Sequence, residues 1–330
     1  MKKFLILCAG LWLAVFVSPL FAVKNTEVGE QIAVETSAPG NIESAVKDAQ
    51  MKITVWDGET VETLALDEYL QGVVASEMPA LFPEEALKAQ AVAARTYALN
   101  RASVTPDKSH NGAMLCTNPA HCKAYKPLAV AAANWGISRE QYSDKIINAV
   151  SSTDGEILLY DGKPISAVFH SASAGKTERA ADVWGSDVPY LQSVESFGEQ
   201  EAPAYYGTVE IPADEFKAAF EKKWSGGDFS EAPDKWFKNS TRSEAGGVIS
   251  VYVGGVKLSG NQVRSLVGLR SANFTVKFKD GKLIFDTLGY GHCVGMSQYG
   301  ARAMAKQGKN YREILSWYYK GISFGELENA

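Results

Sequence analysis

A single carboxylate stands out in the stretch from residue 66 to residue 101. Apolar residues recur with helical spacing from Leu66 to Val74, and Glu77 continues the same face. A carboxyl group on an apolar face loses hydration, which favours the protonated form that a general acid needs. Met78-Pro79 should end the helix directly after Glu77. The pattern leaves two alternatives: a catalytic acid, or a glutamate at a frayed helix end that points to solvent.

Four side chains that can bind a metal lie within thirteen residues, namely His110, Cys116, His121 and Cys122. Two thiolates and two imidazoles make a complete tetrahedral zinc site, which leaves no open position for water and therefore predicts a structural metal. The spacing is not that of a standard zinc finger. In an extracytoplasmic segment a Cys116–Cys122 disulfide is the alternative, although it would not explain two of the chain's four histidines in one loop.

Polar side chains that could contact a ligand occur in a second predicted helix and in two later motifs. Glu84 and Glu85 follow Pro83 and are explained as the first turn of that helix. The motif FHSASAGKT (169–177) comes at the end of a strand predicted over 165–169, and GHCVGMSQYGA (291–301) leads into a predicted helix. The candidate ligand contacts from all three segments are Gln90, Arg95, Tyr97, His170, Ser171, Ser173, His292, Ser297, Gln298 and Tyr299.

Hydrolase chemistry of the Cys-His or Ser-His type is not indicated by these motifs. Cys293 follows His292, and Ser171 follows His170, but side chains at successive positions diverge. The sequence also contains no Gly-x-Ser-x-Gly turn. We therefore interpret Cys293 as a lone buried thiol.

Composition indicates a folded protein with a polar, uncharged ligand. The 330 residues are 46% hydrophobic and 11% aromatic, enough for a substantial core. The formal net charge of −5 gives no reason to expect nucleic acid as a partner. Hydroxyl, amide and aromatic groups of the kind found in the motifs are those that bind sugars.

The first 49 residues differ from the rest of the chain. Lys2 and Lys3 precede an apolar run from Phe4 to Val23, which is long enough to span a bilayer and should send the following residues outside the cytoplasm. A cleaved signal peptide is the alternative, but the cleavage pattern near Ala22 is poor. We predict a retained anchor over residues 1–23, an extracytoplasmic linker over 24–49, and a folded domain over 50–330.

Turn dipeptides divide the folded domain into hairpins and helices. Asp57-Gly58, Asp161-Gly162, Gly254-Gly255 and Asp280-Gly281 each separate two stretches with strand character. Helical patterns are predicted over 139–150, 214–224, 297–306 and 311–319. Hairpins interspersed with helices predict an α+β fold of antiparallel β-hairpins and packed helices around a substrate cleft.

Three segments resemble the SpoIID/LytB family, and together they cover the chain from about residue 50 onward. They are EYLQGVVASEMPALFPEEALKAQAVAARTYAL, AVFHSASAGKTERAADVWGSDVPYLQSVES and GYGHCVGMSQYGARAMAKQG. The resemblance implies that Glu77 is the catalytic acid, and the loop around Cys116 resembles the zinc-binding loop of clostridial members. Two features depart from the family pattern: relatives usually have two glycines near Ala174-Gly175, and many have glycine in place of Cys293.

The resemblance implies a membrane-anchored lytic transglycosylase of peptidoglycan. Such an enzyme cleaves glycan strands between N-acetylmuramic acid and N-acetylglucosamine and leaves 1,6-anhydromuramic ends. One strong carboxyl candidate suits this reaction better than ordinary glycoside hydrolysis, which uses two. The implied setting is septal wall remodelling and engulfment during sporulation, between the mother-cell and forespore membranes, with the amidase SpoIIP and the membrane protein SpoIIM as partners. The alternative, taken from amidase-enhancer members, is a non-catalytic wall-binding activator of a partner amidase.

Overall fold

The computed structural model describes residues 45–103, 108–119 and 121–327, in which short helices alternate with strand pairs. The α-helices are α1 (Ala45–Gln50), α2 (Leu66–Glu77), α3 (Glu84–Ala102), α4 (Leu128–Ala131), α5 (Arg139–Ser151), α6 (Ala180–Trp184), α7 (Ala213–Glu221), α8 (Gly260–Val267), α9 (Gln298–Lys306) and α10 (Tyr311–Tyr318). The strands are β1 (Lys52–Trp56), β2 (Val61–Ala65), β3 (Leu115–Cys116), β4 (Glu156–Tyr160), β5 (Lys163–Pro164), β6 (Phe169–His170), β7 (Tyr206–Pro212), β8 (Phe237–Arg242), β9 (Val248–Val253), β10 (Val256–Ser259), β11 (Phe274–Lys279), β12 (Lys282–Leu288), β13 (Met296–Ser297) and β14 (Ser323–Glu326).

The predicted hairpins are present, and the α+β prediction is confirmed. Strands β1 and β2, β4 and β5, β9 and β10, and β11 and β12 pair antiparallel across the four predicted turns. The prediction of a strand over 165–169 is wrong, because β5 ends at Pro164. Phe169 instead begins β6, which pairs in parallel with β13 far along the chain. When two paired strands lie far apart in the sequence, no turn dipeptide between them indicates the pairing.

Two hydrophobic cores divide the described residues into a main lobe (45–205 and 289–327) and an inserted lobe (206–288). Helix α3 lies at the centre of the main lobe and contacts α2, α5, α9 and α10. Its alanines between residues 86 and 98, including Ala86 and Ala89, are buried and allow these helices to approach closely. The inserted lobe packs α7 and α8 against two three-stranded antiparallel sheets.

The N-terminal segments predicted from sequence fall largely outside the described residues. This holds for the predicted anchor, residues 1–23, and for the predicted linker up to residue 44. The last residues of that linker form part of α1, which contacts α2. Within the described part of the chain, no helix combines the length and apolar character needed to cross a membrane.

Candidate active site

Helix α2 places Glu77 at its final residue. The apolar face from Leu66 to Val74 is buried in the main core, which fixes the rotation of the helix. Met78 takes up extended backbone and its N–H still donates to the Val74 carbonyl, so the helix ends where Met78-Pro79 predicts. The Glu77 side chain is half-buried at this helix end.

Two distant segments hold the Glu77 carboxyl group. Its Oε1 accepts a hydrogen bond of 2.8 Å from the backbone N–H of Ala124. The amide nitrogen of Gln298, at the start of α9, lies 3.4 Å from its Oε2 and also 3.4 Å from the Gln90 side-chain oxygen. Gln90 and Gln298 are both buried. The predicted contacts Gln90 and Gln298 therefore form an amide chain that ends on the predicted acid.

Gly72 allows the segment that follows Cys122 to reach Glu77. A Cβ atom at Gly72 would lie 2.4 Å from the Tyr125 ring and 2.5 Å from the Lys126 carbonyl oxygen. Only glycine permits this close approach of backbone to helix α2. The approach carries Ala124 to within hydrogen-bond distance of Glu77.

An open cleft of about 320 Å³ lies beside Glu77. Its walls include Phe82, Trp135 and Tyr299, with Ser76 and Ser171 as polar members. The Phe82 and Tyr299 rings meet edge to face at 5.1 Å between centroids. Aromatic rings beside hydroxyl and amide groups form a surface suited to a sugar ring. Sequence reasoning missed Phe82 and Trp135, because an aromatic residue outside a periodic pattern does not indicate which surface it lines.

The parallel pairing of β6 with β13 brings the two predicted motifs together. Met296 lies opposite Phe169 and Ser297 opposite His170. The Tyr299 N–H donates to the Ser171 carbonyl at 3.1 Å, which places both residues at the cleft. Ser171, Gln298 and Tyr299 thus line the cleft beside Glu77, and their contact with a ligand stays a prediction.

Ser173 and Ser297 are placed elsewhere, since both are fully buried and bind Glu199. The Glu199 carboxylate accepts hydroxyl hydrogen bonds from Ser173 at 2.9 Å, Ser297 at 2.9 Å and Ser196 at 2.5 Å. Burial raises the pKa of Glu199, while these hydrogen bonds act in the opposite direction. These two serines therefore support the region behind the cleft and do not line it.

Arg95 also lies away from the cleft, because it forms a buried ion pair with Asp48 of α1. Its Nε lies 2.9 Å from both carboxylate oxygens and a terminal nitrogen 2.6 Å from one of them. The guanidinium also donates to the carbonyls of Glu156 and Val150. Arg95 is fully buried and Asp48 nearly so. The ion pair joins α1 to α3. Because its guanidinium nitrogens already donate to buried acceptors, Arg95 is not placed to hydrogen-bond with a ligand in the cleft.

His170 and His292 lie behind the cleft and are uncharged at neutral pH. Burial lowers the pKa of His170 to about 4 and that of His292 well below its usual value. His170 Nδ1 lies 3.1 Å from the Val294 carbonyl oxygen, and the His292 ring packs against His170 and Trp184. Neither histidine lines the cleft. In this position the two histidines lie behind the cleft wall and not where the sequence predicted their contact with ligand.

A buried lysine that the sequence did not reveal lies next to these groups. Lys123 packs its ammonium over the rings of Phe169 and Tyr97, at 3.6 Å and 4.3 Å from the centroids. Burial lowers the pKa of Lys123 to about 8, against the attraction of the Glu77 charge. The predicted contact Tyr97 thus supports Lys123, and its hydroxyl lies 3.5 Å from the His121 carbonyl. Lysine is usually exposed, so nothing in the sequence around residue 123 indicates this environment.

The four predicted metal ligands converge in one cluster. The ligand atoms of His110, Cys116, His121 and Cys122 all lie within 4.8 Å of one another. Cys116 and Cys122 are free thiols and not a disulfide. Burial is the main cause that raises the pKa of the Cys122 thiol to about 11. The donor set, its closeness and the need for a cation to hold the thiolates all fit zinc.

The family model and two similar curated proteins point to one family of sporulation proteins. The family model described as Stage II sporulation protein (SpoIID) matches residues 57–160. Stage II sporulation protein D of Bacillus subtilis (strain 168) is 37% identical, over 99% of this chain and 97% of that protein. The protein of the same name from Bacillus amyloliquefaciens is 35% identical, over 100% of this chain and 97% of its own length. The amidase enhancer of Bacillus subtilis (strain 168) is 28% identical, over 77% of this chain and 40% of that protein.

Proposed function

The chain belongs to the SpoIID family of sporulation proteins, and from this premise we propose that it is a peptidoglycan lytic transglycosylase. The observation that carries the proposal is the position of Glu77. Its carboxyl group opens onto a cleft with aromatic walls and is oriented by Ala124 and Gln298. Of the described residues that line the cleft, Glu77 alone carries a carboxyl group.

One carboxyl group serves twice in this reaction. Glu77 protonates the bridging oxygen between N-acetylmuramic acid and N-acetylglucosamine, and the bond from that oxygen to C1 breaks. The resulting Glu77 carboxylate then takes the proton of the muramic C6 hydroxyl as its oxygen attacks C1. The product is a 1,6-anhydromuramic end, water is not consumed, and Glu77 regains its proton. A second carboxylate, which a hydrolytic glycosidase uses to activate water or to attack the sugar, is not required.

The aromatic walls and neutral amides account for substrate binding. The faces of Trp135 and Tyr299 can pack against sugar rings, and Ser171 and Gln298 can hydrogen-bond to hydroxyl or acetamido groups. The chain Glu77–Gln298–Gln90 fixes the direction of the carboxyl group before substrate arrives. Uncharged donors and acceptors suit a neutral glycan.

The proposed zinc has a structural role. His110, Cys116, His121 and Cys122 would hold it with all four tetrahedral positions filled by protein. When bound, the metal would cross-link the loop that leads to Lys123 and Ala124. Ala124 in turn donates to Glu77, so the order of the loop affects the orientation of the acid.

We place the protein at the cell membrane, anchored by residues 1–23, with the folded domain in the space between the mother-cell and forespore membranes. The family's role in sporulation and the apolar N-terminal run support this placement. In that setting the expected partners are peptidoglycan glycan strands, the amidase SpoIIP and the membrane protein SpoIIM. The second candidate function, activation of a partner amidase, is favoured by the similarity to an amidase enhancer.

Product analysis separates the two candidate functions. Purified full-length protein in detergent is incubated with purified peptidoglycan, and the soluble fragments are analysed by mass spectrometry. A transglycosylase releases anhydro ends, which are one water lighter than hydrolysis products, in the absence of any partner. An activator releases no glycan fragments alone and instead increases the release of stem peptides by an added amidase. The second result would replace the proposal.

A further inference from the structure

The chain passes between the two lobes at two neighbouring points, and an exposed tyrosine lies at each. It leaves the main lobe after Tyr205 and returns at Gly289, whose N–H donates to the Tyr205 carbonyl at 2.8 Å. Tyr206 is 69% exposed and Tyr290 is 45% exposed, whereas Tyr205 is buried. Single exposed aromatic residues are common on protein surfaces, so a functional reading needs further evidence from their surroundings.

Hydrogen bonds hold the backbone at both exposed tyrosines. The Tyr290 N–H donates to the Ala172 carbonyl at 2.7 Å, and the Ala172 N–H donates to the Tyr290 carbonyl at 3.2 Å. Tyr206 lies opposite Leu288 in the pairing of β7 with β12. Aromatic rings on a fixed backbone lose little conformational freedom when they bind a ligand, which favours binding.

Arg270 joins the two tyrosines. Its guanidinium donates to the Tyr206 carbonyl at 2.7 Å. Its own carbonyl accepts the N–H of Gly291, the residue after Tyr290, at 3.0 Å. The Arg270 side chain is itself exposed. We call the surface formed by Tyr206, Tyr290 and Arg270 the seam surface; it exposes two aromatic rings and one guanidinium group.

Aromatic packing connects Tyr206 to the cleft beside the proposed acid. Tyr299, on the cleft wall, packs against a hydrophobic cluster of Ala172, Ala202 and Tyr205. The Tyr205 ring meets the Tyr206 ring edge to face, at 4.7 Å between centroids. One small cluster therefore lies between the cleft wall and the exposed ring of Tyr206.

Backbone pairing connects Tyr290 to the same side of the cleft. Ser171 lines the cleft, and its carbonyl accepts the Tyr299 N–H at 3.1 Å. The next residue, Ala172, pairs with Tyr290. Both connections start from Ser171 and Tyr299, so the seam surface continues the cleft on the side where those two residues lie.

We propose that the seam surface binds the part of the glycan strand that extends beyond the cleft. The inference rests on the proposed function, because it requires a glycan strand in the cleft beside Glu77. A glycan strand is a polymer, whereas the cleft is open and has a volume of about 320 Å³, so the strand continues over the adjoining surface. The two tyrosine rings can pack against sugar faces, and the Arg270 guanidinium can donate to oxygen atoms of the strand.

A partner amidase and a second copy of this chain are the competing occupants of the seam surface. Tyr206→Ala and Tyr290→Ala each remove one ring, and Tyr206→Phe keeps the ring but removes the hydroxyl group. Tyr252→Ala is the matched control, because Tyr252 is 37% exposed and lies on β9, within the inserted lobe. Only a glycan ligand makes the effect of these changes depend on the length of the strand.

The experiment measures glycan binding by isothermal titration calorimetry. The protein is full-length Glu77→Gln in detergent, which should leave the strands uncut, and the probes are peptide-free chains of alternating N-acetylglucosamine and N-acetylmuramic acid in graded lengths. Affinity should increase with chain length until the chain covers the seam surface. Tyr206→Ala and Tyr290→Ala should each weaken the binding of long chains by about three- to tenfold and leave that of the shortest chains unchanged. Tyr206→Phe and Tyr252→Ala should bind long chains as tightly as the parent protein.

Equal affinity of all these proteins for long chains would overturn the inference, and so would a loss that is the same for short and long chains. Intact glycan binding with lost binding of an added amidase, or with lost self-association in sedimentation, would assign the surface to that competing occupant. Because Tyr206 is largely exposed, Tyr206→Ala alone decides if Tyr290→Ala does not fold.

The binding result and the proposed reaction can fail separately. Tyrosine-dependent binding by a protein that releases no anhydro ends would refute the transglycosylase and leave this inference standing. Release of anhydro ends together with binding that does not depend on the tyrosines would refute this inference alone. A protein that binds chains of no length would refute both.

Discussion

Replacement of Glu77 by glutamine tests the proposed mechanism with little disturbance of the fold. The side-chain oxygen of the new glutamine can still accept the N–H of Ala124, which lies 2.8 Å from Glu77 Oε1 in the wild-type protein. The new amide nitrogen would face the Gln298 nitrogen, which lies 3.4 Å from Oε2. Rotation of the Gln298 amide turns its oxygen toward residue 77, and rotation of the Gln90 amide lets the Gln90 nitrogen, which has no acceptor among the described residues, donate to that oxygen.

This re-pairing predicts a small effect on stability and a large effect on rate. We expect the free energy of unfolding to change by less than about 1 kcal/mol, since the hydrogen bonds between residues 77, 298 and 90 form again after these rotations. Loss of a positioned general acid costs ~10²–10⁴ in rate, which corresponds to about 2.7–5.4 kcal/mol in the activation barrier. The upper end is expected, because Glu77 acts as both acid and base and no other described cleft-lining residue carries a carboxyl group.

The assay is the release of anhydro ends from purified peptidoglycan, with circular dichroism and thermal unfolding as folding controls. Glu84→Gln is the matched variant: Glu84 starts helix α3 and forms a 3.0 Å ion pair with Lys88, with its side chain 51% exposed. It should cost at most about 1 kcal/mol of stability and leave turnover intact. A folded Glu77→Gln protein with near wild-type turnover would refute the reasoning and would favour the wall-binding activator.

Four further outcomes are expected. Metal analysis should find one zinc per wild-type chain and almost none in Cys116→Ser, and a Cys116–Cys122 disulfide peptide in freshly isolated protein would contradict the site. Asp48→Asn should lower the free energy of unfolding by about 3–5 kcal/mol in urea titrations, because it leaves the Arg95 charge buried without its partner; a change below about 1 kcal/mol would show that the pair contributes little. The buried, neutral His170 should make stability fall as pH drops from about 6.5 toward 4, by up to about 3 kcal/mol, because only the unfolded chain takes up the proton there; this slope should be smaller in a folded His170→Gln protein, in which the buried His292 still contributes. N-terminal sequencing should find the anchor retained, and a mature protein that begins near Lys24 would refute that prediction.

The features that the sequence predicted correctly are local ones. The end of helix α2 at Glu77 follows from Met78-Pro79 and from the apolar spacing before it. The four hairpins follow from dipeptides that favour left-handed turn conformations, such as Asp280-Gly281. The four candidate metal ligands lie close together in the chain, so a single loop is enough to bring their side chains together, while the metal itself stays a prediction. In each case the interacting residues are near one another in sequence, and local backbone preference decides the result.

The features that the sequence could not provide depend on contacts between distant segments. Gln298 reaches Glu77 from 221 positions away, through the parallel pairing of β6 with β13. A polar residue also looks alike in sequence whether it binds ligand or a buried partner. Arg95 was predicted to contact substrate, yet Asp48 neutralises it in the core.

Lys123 is the clearest case in which tertiary structure alone decides. Its sequence neighbours predict an ordinary surface lysine. Its burial follows from the packing of Tyr125 and Lys126 on Gly72 and from two aromatic rings, Phe169 on β6 and Tyr97 on α3. The free energy of a charge depends on the dielectric and the partners around it, and these are set by packing between segments that no local pattern encodes.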